Sequence, residues 1–165
     1  MKKYLYYLTL IPLFLSFPVH AENSPFVSTR SLSAELANQA ALNAYKECQK
    51  RGYQVAVSVV DRNGRLIAFI RNPLAGPHTI EVSQRKAFTS ATFQSTTSSM
   101  MDRKHLKQIP GVLLLGGGAP IRIAGHFYGA LGVSGAPAKK ISGDEDEVCA
   151  NKGISSISEA LEFVD

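Results

Sequence analysis

Tyr53-Gln54-Val55-Ala56-Val57-Ser58-Val59-Val60-Asp61, then Arg62-Asn63-Gly64, then Arg65-Leu66-Ile67-Ala68-Phe69-Ile70-Arg71, is the stretch on which the fold turns. β-Branched residues recur at every second position of the first run, the period of a strand buried mainly on one face. Asn63-Gly64 supplies the pair of positive-φ residues that a tight hairpin requires, so Arg65 to Arg71 returns as a second strand. An antiparallel hairpin, rather than a strand–helix–strand crossover, therefore sits at the centre of the chain.

Upstream, Ser31-Leu32-Ser33-Ala34-Glu35 offers a helix start, with a Ser N-cap and an acid facing the positive end of the helix dipole. Leu36, Ala37, Ala40, Ala41, Ala44, Tyr45 and Cys48 keep the helical period until Gly52. Downstream, Asn72-Pro73-Leu74-Ala75-Gly76-Pro77-His78 cannot continue a ladder, and Thr79 to about Phe93 reads as a second helix with Ile80, Ala87, Phe88 and Ala91 on one side. A short helical stretch over Met100 to Lys107 follows, then apolar Val112 to Leu115. Strands over Ile121 to Ala124 and Phe127 to Val133 meet at Gly125-His126. Acidic Asp144 to Glu147 opens another helical region, and a last helix covers about Ile154 to Phe163. Hairpins outnumber crossovers, so the expected architecture is an α/β chain of the α+β type, with about five mostly antiparallel strands.

Of 165 residues, 45% are apolar and 19% charged, the balance of a single globular domain. The first 21 residues read as a secretory signal peptide: Lys2 and Lys3, an uncharged run from Tyr4 to Phe17, then Val19-His20-Ala21. That run is shorter than the roughly 20 apolar residues a membrane helix needs. Removal would leave 144 residues, with a flexible leader at 22–30 and the domain at 31–165, and would lower the net charge from +5 to +3. So small an excess on an exported chain argues against nucleic acid as a partner. Cys48 and Cys149 exclude a four-cysteine metal site. Outside the cytoplasm they pair or remain buried thiols, a choice that depends on their separation in the fold.

Several motifs fall short of a chemistry. Gly116-Gly117-Gly118-Ala119-Pro120-Ile121 lacks the Lys-Ser/Thr of a phosphate loop and the third glycine of a dinucleotide fingerprint. Gly132-Val133-Ser134-Gly135-Ala136 departs from a nucleophile elbow at its last position. Asp144-Glu145-Asp146-Glu147 lacks the alternate spacing of a calcium loop and fits an N-cap with a reciprocal partner at Glu147. Beyond the signal, His78, His105 and His126 are too scattered for a zinc hydrolase. His105 suits a solvated basic face and His126 a turn, whereas His78 is delivered by a Pro/Gly-constrained loop to a helix start.

Taken in order, Val59-Val60-Asp61 with Asn63-Gly64, Ala75-Gly76-Pro77-His78-Thr79, Arg85-Lys86-Ala87-Phe88-Thr89-Ser90-Ala91, Gly116 to Ile121, Gly129 to Pro137 and Asp146-Glu147-Val148-Cys149-Ala150 resemble the GlcG/HbpS family of haem-binding proteins over nearly the whole chain from Leu32. The resemblance implies a profilin-like fold, a five-stranded antiparallel sheet flanked by helices, assembled as a homo-oligomer. It also implies a periplasmic or secreted protein that captures, buffers or relays haem, with a membrane sensor or transport protein as a possible partner.

Haem needs an axial donor, apolar walls and basic groups for its propionates. These point to His78 as the ligand of the haem iron, to Arg85 or Lys86 for a propionate, and to Met100 and Met101 as fallback ligands. Arg85 and Lys86 equally suit ordinary solvation of a helix face. Without Cys-x-x-Cys-His, attachment would be non-covalent. Two other readings stay open: an oligomeric sensor-accessory module with no essential haem chemistry, and a small-molecule enzyme using the Gly116 loop, which no nucleophile–base pair supports.

Overall fold

The structure is a computed structural model that describes residues 25–162. The expected signal peptide, residues 22–24 of the leader and the end of the last helix at Phe163 lie outside the described residues.

The central hairpin is present as β1 (Ala56–Asp61) and β2 (Leu66–Arg71). Its turn differs from the expected one. Only Gly64 takes a positive φ, of 75°, and Asn63 does not. Instead Asp61 Oδ1 accepts the amides of Asn63 and Arg65 at 2.8 and 2.9 Å, a side-chain turn that makes a second left-handed residue unnecessary. The two-residue turn with both φ values positive lies in the second hairpin, at Ala124 and Gly125, between β3 (Gly118–Ile123) and β4 (His126–Ser134).

β4 also pairs antiparallel with β1, giving the order β2-β1-β4-β3. Among the described residues the sheet has four strands where five were expected. Val112 to Leu115 is the segment that fails to pair. Val112 and Leu114 pack beside buried Met100 in a small satellite cluster, and the Leu113 amide is taken by Thr89 Oγ1 at 2.8 Å. A strand begins further on, at Gly118. Pro120 is tolerated there because β3 is an edge strand, where a missing donor leaves no ladder bond unmade.

One sheet face is covered by α1 (Ala34–Lys50) and α3 (Asp144–Ser155), with short α4 (Glu159–Glu162) beside them. The other face carries α2 (Thr79–Phe93). β1 is consequently buried on both faces rather than mainly on one. Val55, Val57 and Val59 face the α1 layer, while Val60 meets Ala87 and Ala91 of α2. Ser58 is accommodated opposite α2 because its hydroxyl bonds Ser83 Oγ at 2.8 Å. α1 starts as read: Ser33 Oγ accepts the Leu36 amide, and Ala37, Ala40, Ala41 and Ala44 form its buried stripe. The small stripe lets α3 come close. A Cβ on Gly153 would lie 2.6 Å from the Ala40 carbonyl oxygen, so only glycine permits this approach. The stretch expected as one helix over Met100 to Lys107 is two short 3₁₀ segments, Ser98–Met100 and Lys104–Gln108.

The cysteines are a disulfide. Cys48 of α1 and Cys149 of α3 are both fully buried, with Cα atoms 5.5 Å apart. Because the bridge closes a loop with a sequence separation of 101, it removes much of the freedom of the unfolded chain. Replacing both cysteines by alanine is expected to lower the unfolding free energy by about 2–5 kcal/mol, measured by urea denaturation. An unchanged midpoint would mean that packing between α1 and α3 suffices without the bridge.

Candidate functional site

A cavity of about 240 Å³ opens where the N-terminus of α2, the end of β4 and the N-terminus of α3 converge. His78, Val82 and Lys86 reach it from the α2 side, Ser134 to Ala136 from β4 and the loop beyond, and Gly143 and Asp146 from the start of α3. The Pro/Gly segment before α2 sets the position of His78. Thr79 Oγ1 and the Thr79 amide both donate to the Gly76 carbonyl, which winds the chain tightly into the helix. The His78 side chain is left exposed and makes no hydrogen bond to the helix it precedes. An imidazole so held, with both ring nitrogens unspent on the protein, can donate a lone pair to a metal centre.

Lys86 lies one helical turn beyond Val82 and points into the molecule. Its side chain is 1% exposed, which overturns the solvated-face reading. Nζ donates to Asp146 Oδ2 at 2.6 Å and to the Val133 carbonyl at 2.9 Å. Asp146 in turn accepts the Ala136 amide on Oδ1 at 2.9 Å. Burial pushes the Lys86 ammonium down and the Asp146 carboxyl up, and the attraction between them opposes both shifts. The pair thus ties α2, β4 and α3 together directly beneath the cavity.

The four consecutive acids divide their work instead of forming a capping box. Gly143 precedes the helix, and its carbonyl accepts the Glu147 amide. Asp144 accepts the amides of Lys139, Lys140 and Ile141 from the loop before it. Those bonds, led by the Lys139 and Lys140 amides, hold its carboxyl at about 2, below the ordinary 3.8. Glu145 pairs with Arg51 and Lys139, each at 3.1 Å, joining the end of α1 to α3.

Arg85 does not share the cavity. Its guanidinium bonds the Val112 carbonyl at 3.2 Å and pairs with Glu81 at 3.4 Å. It lines a separate cleft of about 260 Å³ with Phe88, Leu66 and Gly111. His78 and Lys86 are therefore brought together and Arg85 is not. Met100 is fully buried and Met101 lies outside the cavity lining. Sequence reasoning weighed Ser134 as an elbow serine and Asp146 within a capping run, and placed neither at this site. A buried acid inside an acidic run carries no periodic signal, and only the buried lysine opposite reveals its task.

Comparisons with known proteins cover most of the described chain. Residues 32–155 match the family described as haem degrading protein HbpS-like. Protein GlcG of Escherichia coli strain K12 is 31% identical over 108 residues, covering 62% of this chain and 81% of GlcG. Among solved structures, a double mutant of HbpS from Streptomyces reticuli superposes with a TM-score of 0.74 at 38% identity, over 85% of this chain and 96% of the other. A PduOC:heme complex superposes with a TM-score of 0.67 at 27% identity, over 78% and 96%.

Two outcomes follow from the geometry. Lys86→Met leaves Asp146 buried without its cation and is expected to cost about 3–5 kcal/mol of stability. Lys86→Met with Asp146→Leu should cost clearly less than the sum of the two single changes, and additivity in that cycle would show that the pair is not coupled. Separately, the carboxyl of Asp144 is depressed on folding, so its contribution is complete above about pH 4 and is lost as pH falls toward about 2. Asp144→Asn should flatten the fall in stability over that window, read by denaturant unfolding at stepped pH.

Proposed function

The chain belongs to the HbpS-like family, and from that premise we propose that it is a haem-binding protein of the periplasm or exterior that captures, buffers or relays non-covalently held haem. The observation that carries the proposal is His78, exposed at the mouth of the cavity with no hydrogen bond to cap the helix it precedes. Val82 and Leu115 supply apolar lining, and exposed Leu74 and Ile80 lie close to His78 along the chain. At about 240 Å³ the cavity is below the ~300–1,000 Å³ that engulfs a drug-sized ligand, so the site suits a planar group held at its opening.

Haem, when bound, would supply the iron that accepts the imidazole lone pair and any redox or gas chemistry. The chain's own contributions are simpler. His78 ligates, the apolar residues exclude water, and Lys86 keeps the floor in place. Asp146 already holds the Lys86 ammonium, so Lys86 enters as a positioning residue rather than as a propionate partner. Arg85 sits in the separate cleft and would reach a propionate only if haem extended there. The buried disulfide supports an oxidising compartment, where such bridges persist. The half-exposed apolar residues Leu66 and Phe69 on edge strand β2 support self-association.

Titrating the purified protein with haemin should give a saturable Soret shift at one haem per chain. His78→Ala is expected to weaken binding roughly tenfold or more, a ~1.4 kcal/mol loss, and to change the spectrum. Arg85→Gln should leave the spectrum unaltered. A wild-type spectrum in the His78 variant would move the axial ligand elsewhere, and absence of any shift would reject haem as the ligand.

A further inference from the structure

β4 borders a concavity at each end. Ser134 closes the haem-site cavity, and His126, eight residues back and therefore roughly 27 Å away along the strand, borders a different concavity of about 410 Å³. Arg30 and Thr29 line it from the segment before α1, Arg62 from the β1–β2 turn, and His126 with Phe127 from the start of β4. Among the described residues no carboxylate lines it.

Two exposed arginines here lean on the protein surface. Arg62 Nη1 donates to the Phe127 carbonyl, and its guanidinium lies 5.2 Å from the centre of the Phe127 ring. Arg122 reaches the same ring, at 5.5 Å, with Nη2 on Gln94 Oε1. Two guanidinium charges thus share one phenyl ring, and among the described residues neither pairs with a carboxylate. Asp61, the acid next along the chain, turns Oδ1 inward to the amides of Asn63 and Arg65. The Arg62 guanidinium thus carries a charge that no carboxylate of the described residues neutralises, and a bound anion would supply the counter-charge.

We infer that this basin binds a phosphate group, gripped by the guanidinium of Arg62 with Arg30, His126 and the Thr29 hydroxyl around it. Phosphate is the match because a planar guanidinium engages its oxygens two at a time, and the two arginines that line the basin suit an anion with several acceptor oxygens. The phosphate belongs either to a soluble molecule or to a phospholipid headgroup. The site is independent of haem and lies at the other end of the sheet from His78.

The test uses the full chain labelled with ¹⁵N, titrated with inorganic phosphate at constant ionic strength, and in parallel mixed with phosphatidylcholine vesicles containing phosphatidylglycerol. Saturable shifts confined to residues 27–30, 62 and 122–127 are expected, with Arg62→Gln weakening affinity roughly tenfold. Arg122→Gln, whose side chain touches the same ring but does not line the basin, should weaken it less and serves if the Arg62 variant fails to fold. Arg103→Gln, on an exposed turn, should leave it unchanged. Vesicle flotation that depends on Arg62 without a response to inorganic phosphate would identify the headgroup as the source. Shifts spread over all basic surfaces, insensitivity to Arg62→Gln and Arg122→Gln, or no response in either arm would overturn the assignment.

Discussion

The contact between Lys86 and Asp146 joins the two helical layers across the end of the sheet. Lys86 comes from the helix on one face of the sheet, Asp146 from a helix on the other, and they meet past the end of β4. Two charges removed from water are costly, and the arrangement persists because nearly every remaining valence is used: Val133 takes a second ammonium proton, and Ala136 donates to the far carboxylate oxygen. The result is a rigid floor. His78, two helical turns before Lys86, inherits its position from that floor and from the tight entry into α2.

The polarity of α2 follows from the same constraint. A helix that packs on a sheet usually shows a broad apolar stripe, yet the buried face of α2 includes Thr79, Ser83, Lys86, Thr89 and Ser90. Each of these finds a partner: the Gly76 carbonyl, Ser58, Asp146, the Leu113 amide and the Ser95 carbonyl. Hydrogen bonding here does what apolar area does on the α1 face. It also explains why Ile80, which the helical period assigns to the inward face, stands 39% exposed.

How far the chain could be read from its residues varies with the kind of signal. Periodicity located α1, α2 and the central hairpin, because Val55 to Val60 and Leu36 to Cys48 repeat the spacing of their elements. It counted one strand too many, since Val112 and Leu114 are as apolar as strand residues but are used in a satellite cluster. Family resemblance and the constrained loop singled out His78 and Lys86, though not the burial of Lys86. A lysine between Arg85 and Ala87 looks solvated until its partner, sixty residues away, is known. The disulfide was legible only as a question of distance. Asp146 and the pairing of Arg62 with Arg122 over Phe127 depend wholly on tertiary contacts and leave no trace in local spacing.

The bridge between Cys48 and Cys149 also imposes an order on assembly. Synthesis runs from α1 toward α3, so Cys48 has no native partner until a further 101 positions have been added. By then all four described strands and α2 are available to collapse into the sheet that sets α1 against α3. Closure therefore records completion: a chain halted before α3 retains a lone thiol in the buried stripe of α1, chemically marked as unfinished and open to exchange with other thiols.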